Sequence, residues 1–301
     1  RQCMGLKMNS CFTAICMRVS LACSRALAQT AGWQNYVSGF EVTGVAEVDR
    51  YIWAGTTGGL VQVDKETNSI TYFNRLNSEL PQNQIYSVVA SRQKTLFVLT
   101  GSKLLKIEEG FWYDIVTPAD FSVQNSNRCM AVDGSGQLWI AAGTTLYKWD
   151  GTQWHFYNSS NSAMPQASLS SLMIDKEDRK WIISSAGLIF FDDQDWIVYN
   201  ESNTACAEMR YPNCIGIDSS KTRWIGSING LIRWSSSGIT LLRPPYNPET
   251  HFSVYEIEVS RDEILWIGSS IGLLRYDGLE WQQYTSINSV LPDNHITAIL
   301  N

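Results

Sequence analysis

The sequence predicts an all-β fold, a β-propeller of four-stranded blades, from three observations. An aromatic residue returns at a fixed interval, a strand-and-turn pattern surrounds each return, and the two ends of the chain carry matching fragments. Tryptophan recurs at Trp53, Trp139, Trp181, Trp224 and Trp266, with Phe97 in the same role between the first two. The gaps are 44, 42, 42, 43 and 42 residues. A period of roughly 40–45 residues with short strands is that of a propeller blade, which buries its faces only against its neighbours.

The element order follows from the copies. LWIGSSIGLLRYDGLEW (265–281) stands beside LWIAAGTTLYKWDGTQW (138–154) and KWIISSAGLIFFDDQDW (180–196). Each reads as an apolar anchor strand, a Gly or Ser turn, a third strand, an Asp-rich turn and an aromatic outer strand. Asp150-Gly151 and Asp277-Gly278 are hairpin signals, because Gly accepts the positive φ of tight two-residue turns. The outer strand begins fifteen residues after the anchor at Trp112, Trp154, Trp196 and Trp281, while Asn68 and Ile239 mark blades one and five as divergent. A further strand precedes each anchor. Ten residues before the anchors stand Thr43, Ser87, Cys129, Ser171, Cys214 and Glu256, five of them small, which places this strand innermost on a crowded axis. Four strands around an axis leave only short, protected sheet edges.

Six repeats are complete, and both ends hold a remnant. WQNY (33–36) matches the outer strand WQQY (281–284), and NSVLPDNHITAIL (288–300) matches NSELPQNQIYSVV (77–89), which leads into an inner strand. The two remnants are expected to share a seventh blade, incomplete in this chain, with six blades as the alternative. Residues 29–301 then form one propeller domain. Residues 1–28 read as a leader: a mostly apolar stretch from Lys7 ends in Ala26-Leu27-Ala28, an A-x-A cleavage pattern, although Arg18 and Arg25 interrupt it. Export to an extracytoplasmic location, periplasm or cell surface, is the expectation.

Composition narrows the partners. The net charge is −6 with no basic cluster, which argues against nucleic acid. No repeat contains 18 consecutive apolar residues, so no membrane span is expected there. Four of seven cysteines lie in the leader, and Cys129, Cys206 and Cys214 lack zinc-ligand spacing. They read as buried small hydrophobes, with a Cys206–Cys214 disulfide as an alternative.

The string W-I-G-[ST]-x-x-G-L-x-[RK]-[YW]-D-G-x-x-W-x-x-Y, then N-S-x-L-P, stands here as Trp266–Asp277 with Trp281 and Tyr284, then Asn288–Pro292. It resembles the two-component regulator propeller repeat, and the resemblance covers Trp33–Leu300. It implies the extracytoplasmic sensing part of a hybrid two-component system, with a saccharide or other small-molecule ligand. It is equally similar to exported surface proteins, including accessory proteins of type IX secretion, which implies a docking scaffold with a protein partner.

No catalytic or metal site is expected, and no cofactor. His155, His251 and His295 sit at unrelated points of the repeat, and H-E-x-x-H and phosphate loops are missing from the sequence. Gly55-Thr56-Thr57-Gly58-Gly59 reads as an ordinary turn. Val132–Trp139 resembles the Asp-box of sialidases, a structural turn remote from catalysis. A ligand needs asymmetric contacts, so binding residues are sought where the repeat is broken. Two connections depart from N-S-x-L-P: one with Arg210 and Tyr211, the other with Arg243, Tyr246 and His251. Arginine beside exposed aromatics suits sugars or acidic ligands. Glu256 and Glu258, two carboxylates on one face of an inner strand, are expected to line the central channel.

Overall fold

A computed structural model of the chain describes residues 41–121, 129–245 and 252–300, the side chains of Glu208 and Arg210 apart. Among these residues the strands form six antiparallel sheets of four, each built in sequence order from one repeat. Blades one to six span 42–73, 85–115, 130–157, 169–199, 212–242 and 254–284. Their inner strands are Val42–Val48, Ile85–Ala90, Met130–Val132, Leu169–Ile174, Pro212–Ile217 and Val254–Val259. From blade one to blade six each inner strand packs on that of the blade after it, five pairs in all, which gives the propeller arrangement.

The anchor aromatics are buried because each is a wedge filler between blades. The last aromatic of the outer strand stacks on its own anchor in four blades. The centroid distances are 5.6 Å for Trp53–Phe73, 6.0 Å for Trp139–Tyr157, 6.4 Å for Trp181–Tyr199 and 6.0 Å for Trp266–Tyr284. Such pairs add to the apolar burial that holds a blade to its neighbour.

Departures from a period of 42 have local causes. In blade one the turn between paired Val63 and Ile70 is two residues longer than that between Trp149 and Trp154. Asp64 Oδ1 organises it by accepting from the N–H of Glu66, with Asn68 at φ 58°. Ile239 pairs with Trp234 as Trp154 pairs with Trp149, so blade five keeps the register without the aromatic. Gly272 shows why the post-anchor turn is fixed. Its φ is +120°, and a Cβ there would lie 2.3 Å from the carbonyl oxygen of Tyr284.

After blade six the chain crosses to blade one. Ile296 N–H donates to Ser269 O at 3.1 Å, and Thr297 Oγ1 donates to Val42 O at 3.2 Å. Ile296 and Ile299 pack with Trp266, while Ala298 packs with Val42 and Ala54. A Cβ on Gly268 would meet Ile296 O at 2.6 Å, just as one on Gly226 would meet Val254 at 2.6 Å. Ile296 therefore occupies, beside blade six, the place that the first inner-strand residue of blade six occupies beside blade five. The other expected remnant, Trp33–Tyr36, and the leader lie outside the described residues.

The cysteine alternative is corrected. Cys206 and Cys214 form no disulfide and lie in different apolar clusters, the first beside Met209 and Trp181, the second beside Trp224 and Val254. Cys129 likewise forms no disulfide, and burial pushes its thiol up to about 12.

Candidate functional site

Most motif residues serve the repeat itself. After five anchor strands a hydroxyl folds the turn: Thr56 Oγ1 donates to Gly59 O at 2.8 Å, and Ser184, Ser227 and Ser269 do the same to Gly187, Gly230 and Gly272. Thr100 donates in the same way to Lys103 O. The glycine-rich stretch at 55–59 is one such turn.

The Asp-box-like stretch is also structural, and it recurs. Asp133 Oδ1 accepts from the N–H of Ser135 and Gln137, while Oδ2 accepts from Trp139 Nε1 at 2.8 Å. Asp175 does this for Trp181 at 3.0 Å and Asp218 for Trp224 at 2.9 Å. One carboxylate thus caps the turn between inner and anchor strands and fixes the indole. In blade six Ser260 stands at this position, and its shorter side chain accepts from Ile264 N–H within the turn.

The N-S-x-L-P connections share one geometry. Asn161 Oδ1 accepts from Asn158 N–H, its Nδ2 donates to Phe156 O, and Ser162 Oγ donates to Asn158 O. Leu80, Met164 and Leu291 are the buried plugs. The connection to blade five keeps this form further than the sequence suggests. Asn203 and Thr204 make the same bonds to Asn200 and Val198, and Cys206 is the plug. Only one residue is added between Asn203 and Pro212, in the 3₁₀ turn Ala207–Arg210. A third departing connection, missed in the sequence, follows blade two. There Phe121 packs on Tyr147 and Trp154, and Trp154 Nε1 donates to Val116 O.

The broken connections flank one blade. Pairing of Pro212 with Ser227 sets Tyr211, 51% exposed, opposite Ile228, 43% exposed. Pairing of Leu231 with Leu242 sets Arg243 opposite Gly230, and Arg243 Nε donates to Asn229 O at 3.3 Å. Tyr211, Ile228, Asn229 and Arg243 therefore line one end of blade five. Tyr246, His251 and the side chain of Arg210 lie outside the described residues. His155 is elsewhere, on an exposed turn with Asp150 Oδ2 at 3.1 Å, and His295 packs on Tyr255.

Glu256 and Glu258 are half-buried on the blade-six inner strand. They line a cavity of about 240 Å³ with Met173, Cys214, Ile217 and Val259 from the inner strands of blades four to six. A second cavity, about 220 Å³, lies among Arg92, Asp133, Asp175 and Asp178, where the inner strands of blades two to four run into their turns. Among the described residues no group of three or more His, Cys, Asp or Glu side chains could hold a metal ion. No helix there is long and apolar enough to cross a membrane.

Sequence reading also missed two interblade cations. Residues before the anchors are Leu in blades two, three and six, but Lys180 and Arg223 in blades four and five. Lys180 Nζ, fully buried, lies 4.3 Å from the Trp139 ring centroid and 2.7 Å from both oxygens of Asp193. The Arg223 guanidinium lies 4.8 Å from both Trp181 and Trp234, and desolvation lowers its pKa. These are cation–π bolts between blades.

No family model matches the sequence, and no curated protein matches it. The fold is shared with solved structures at low identity. PorZ, described as an essential bacterial surface component of the type-IX secretion system of Porphyromonas gingivalis, aligns at 18% identity and TM-score 0.67, over 86% of this chain and 44% of its own. The chain thus spans less than half of PorZ. YCF48 bound to D1 peptide aligns at 14% and 0.65, over 84% and 85%. Virginiamycin B lyase from Staphylococcus aureus aligns at 14% and 0.63, over 81% and 83%. Propellers of this shape thus include an enzyme as well as binding proteins, and the fold alone decides neither.

Proposed function

We propose that the chain is the propeller of an exported, non-catalytic protein that docks a protein partner on the face formed by the blade-to-blade connections. One observation carries this reading. Six of the twelve exposed large hydrophobics among the described residues, Leu76, Val116, Tyr211, Ile228, Ile287 and Val290, sit in connections or post-anchor turns, which emerge at the same end of the blades; five others lie on outer strands and Leu279 at the far end. Where such side chains adjoin, as Tyr211 and Ile228 do, they mark an interaction surface. The cavities, at about 240 and 220 Å³, are smaller than the roughly 300–1,000 Å³ of typical small-molecule sites. The surface role of PorZ and the peptide bound by YCF48 agree with docking.

Sensing a saccharide within a two-component system is the alternative, and the repeat resemblance supports it. In either case the location is extracytoplasmic. We also read residues 296–300 as the inner strand of a seventh blade, with Trp33–Tyr36 as its outer strand. The place of Ile296 beside Gly268 supports this.

Photo-crosslinking in the exporting cell tests docking. A crosslinker at Ile287 on the connection face should give a discrete protein adduct. One at Leu279, 91% exposed at the opposite end, should give none. Equal adducts from both, or none from either with thermal stabilisation by oligosaccharides, contradicts the proposal.

A further inference from the structure

The end of blade five differs from the ends of the other blades at three neighbouring positions. Opposite the inner-strand start, Ile228 replaces Thr57, Gly101, Gly143, Ser185 and Ser270. Tyr211 stands where Glu41, Gln84, Ser168 and Ser253 stand in other blades. Arg243 replaces the loop-forming Asn74, Asn158, Asn200 and Thr285. The substitutions are concerted: two polar or small positions become apolar, and a neutral loop residue becomes a cation.

Arg243 is held for use. Its Nε donates to Asn229 O, and a Cβ on Gly230 would lie 3.6 Å from its Cγ, so the stem lies across the turn. Among the described residues no carboxylate forms an ion pair with it, unlike Arg50, Arg179 and Arg275, though Arg75, Arg92, Arg233 and Arg261 share this state. A guanidinium oriented by its own Nε keeps its terminal nitrogens as a fork for a carboxylate. On a chain of net charge −6, such a cation selects by charge.

We infer that the blade-five end is a recognition site for an extended acidic–apolar segment of a partner protein. Its carboxylate meets Arg243, and its apolar side chain lies between Tyr211 and Ile228. This rests on the docking reading and adds the partner chemistry to it. Tyr211 brings two rotatable angles and a large face, so it contributes contact area at small entropic cost.

The test uses the full chain and fluorescein-labelled peptides: GSELFEGS, its basic counterpart GSKLFKGS, and GSEGSEGS without the apolar pair. GSELFEGS should bind roughly tenfold more tightly than either, the difference expected from one charge-assisted hydrogen-bonded contact. R243E should reverse the preference between the acidic and basic peptides. R243K, which keeps the charge without the fork, should weaken GSELFEGS binding several-fold, and Y211S with I228S should remove the advantage of the apolar pair. Equal binding of acidic and basic peptides, or no effect of R243E, overturns the inference. So does binding of tri-galacturonate in place of the peptide. Crosslinking at Ile287 that survives R243E would keep docking and reject this partner chemistry.

Discussion

Asp175→Ala removes the carboxylate that joins the blade-four turn to its anchor. The side chain is 2% exposed, and it accepts four hydrogen bonds: from Glu177 N–H and Arg179 N–H at 3.0 Å, Arg179 Nε at 2.7 Å and Trp181 Nε1 at 3.0 Å. Trp181 is fully buried, so its indole N–H loses its partner and costs about 1–3 kcal/mol. The two turn bonds add about 1 kcal/mol each. Arg179 is partly exposed, so its lost ion pair adds little. The sum is about 3–5 kcal/mol. In a domain of this size each kcal/mol moves Tm by about 2–3 °C, so the loss is roughly 6–15 °C by calorimetry. Ser260→Ala at the matching position of blade six removes the bond from Ile264 N–H and should cost about 1 kcal/mol. If Asp175→Ala is no worse than Ser260→Ala, the carboxylate does not hold the turn to its anchor.

Three further outcomes are expected. Lys180→Leu restores the residue of blades two, three and six, and should change stability by less than about 2 kcal/mol, whereas Asp193→Ala leaves a buried ammonium held by rings alone and should cost more, both read from urea unfolding. Backbone hydrogen bonds from Gln153 and Thr152 hold the Asp150 carboxyl well below the usual carboxylate range. A folded-state pKa below the unfolded value of about 3.9 gives stability that is present above that value and lost as pH falls through the folded pKa. The deficit of Asp150→Ala should therefore be full at pH 7 and shrink below about pH 4 in paired melts. Gly268→Val places side-chain atoms against Ile296 O, so hydrogen exchange should show lost protection at 296–300 while blades two to four keep theirs.

The blades are legible in the sequence because each anchor occupies the same wedge. A wedge can be filled only by an aromatic at a fixed distance from two turns, which writes a period into the chain. The irregular gaps are legible as numbers but not as causes, since an extended Asp64 turn and an extra residue before Pro212 look alike in spacing. Asp133 stands out in sequence as a single motif. Its equivalence to Asp175 and Asp218 emerges only when three indoles are seen bonded alike.

The site is legible only in part. Tyr211 and Arg243 stand out as breaks in the repeat, but 32 positions separate them and only strand pairing brings them to one blade. Ile228 is hidden inside a good copy of the motif, WIGSINGLIRW, where its exposure carries no signal in sequence. Lys180 and Arg223 are invisible for the opposite reason: a cation before an anchor looks like a surface residue until the neighbouring ring is in place.

Contact with a partner should fall where the repeat is broken and not in the channel. Hydrogen exchange of the chain with and without its crosslinked partner measures this directly. Protection at 211, 228–230 and 243, with the connection tips near Ile287, is the predicted result. Protection confined to the channel strands at 171–173, 214–217 and 256–259 would contradict it.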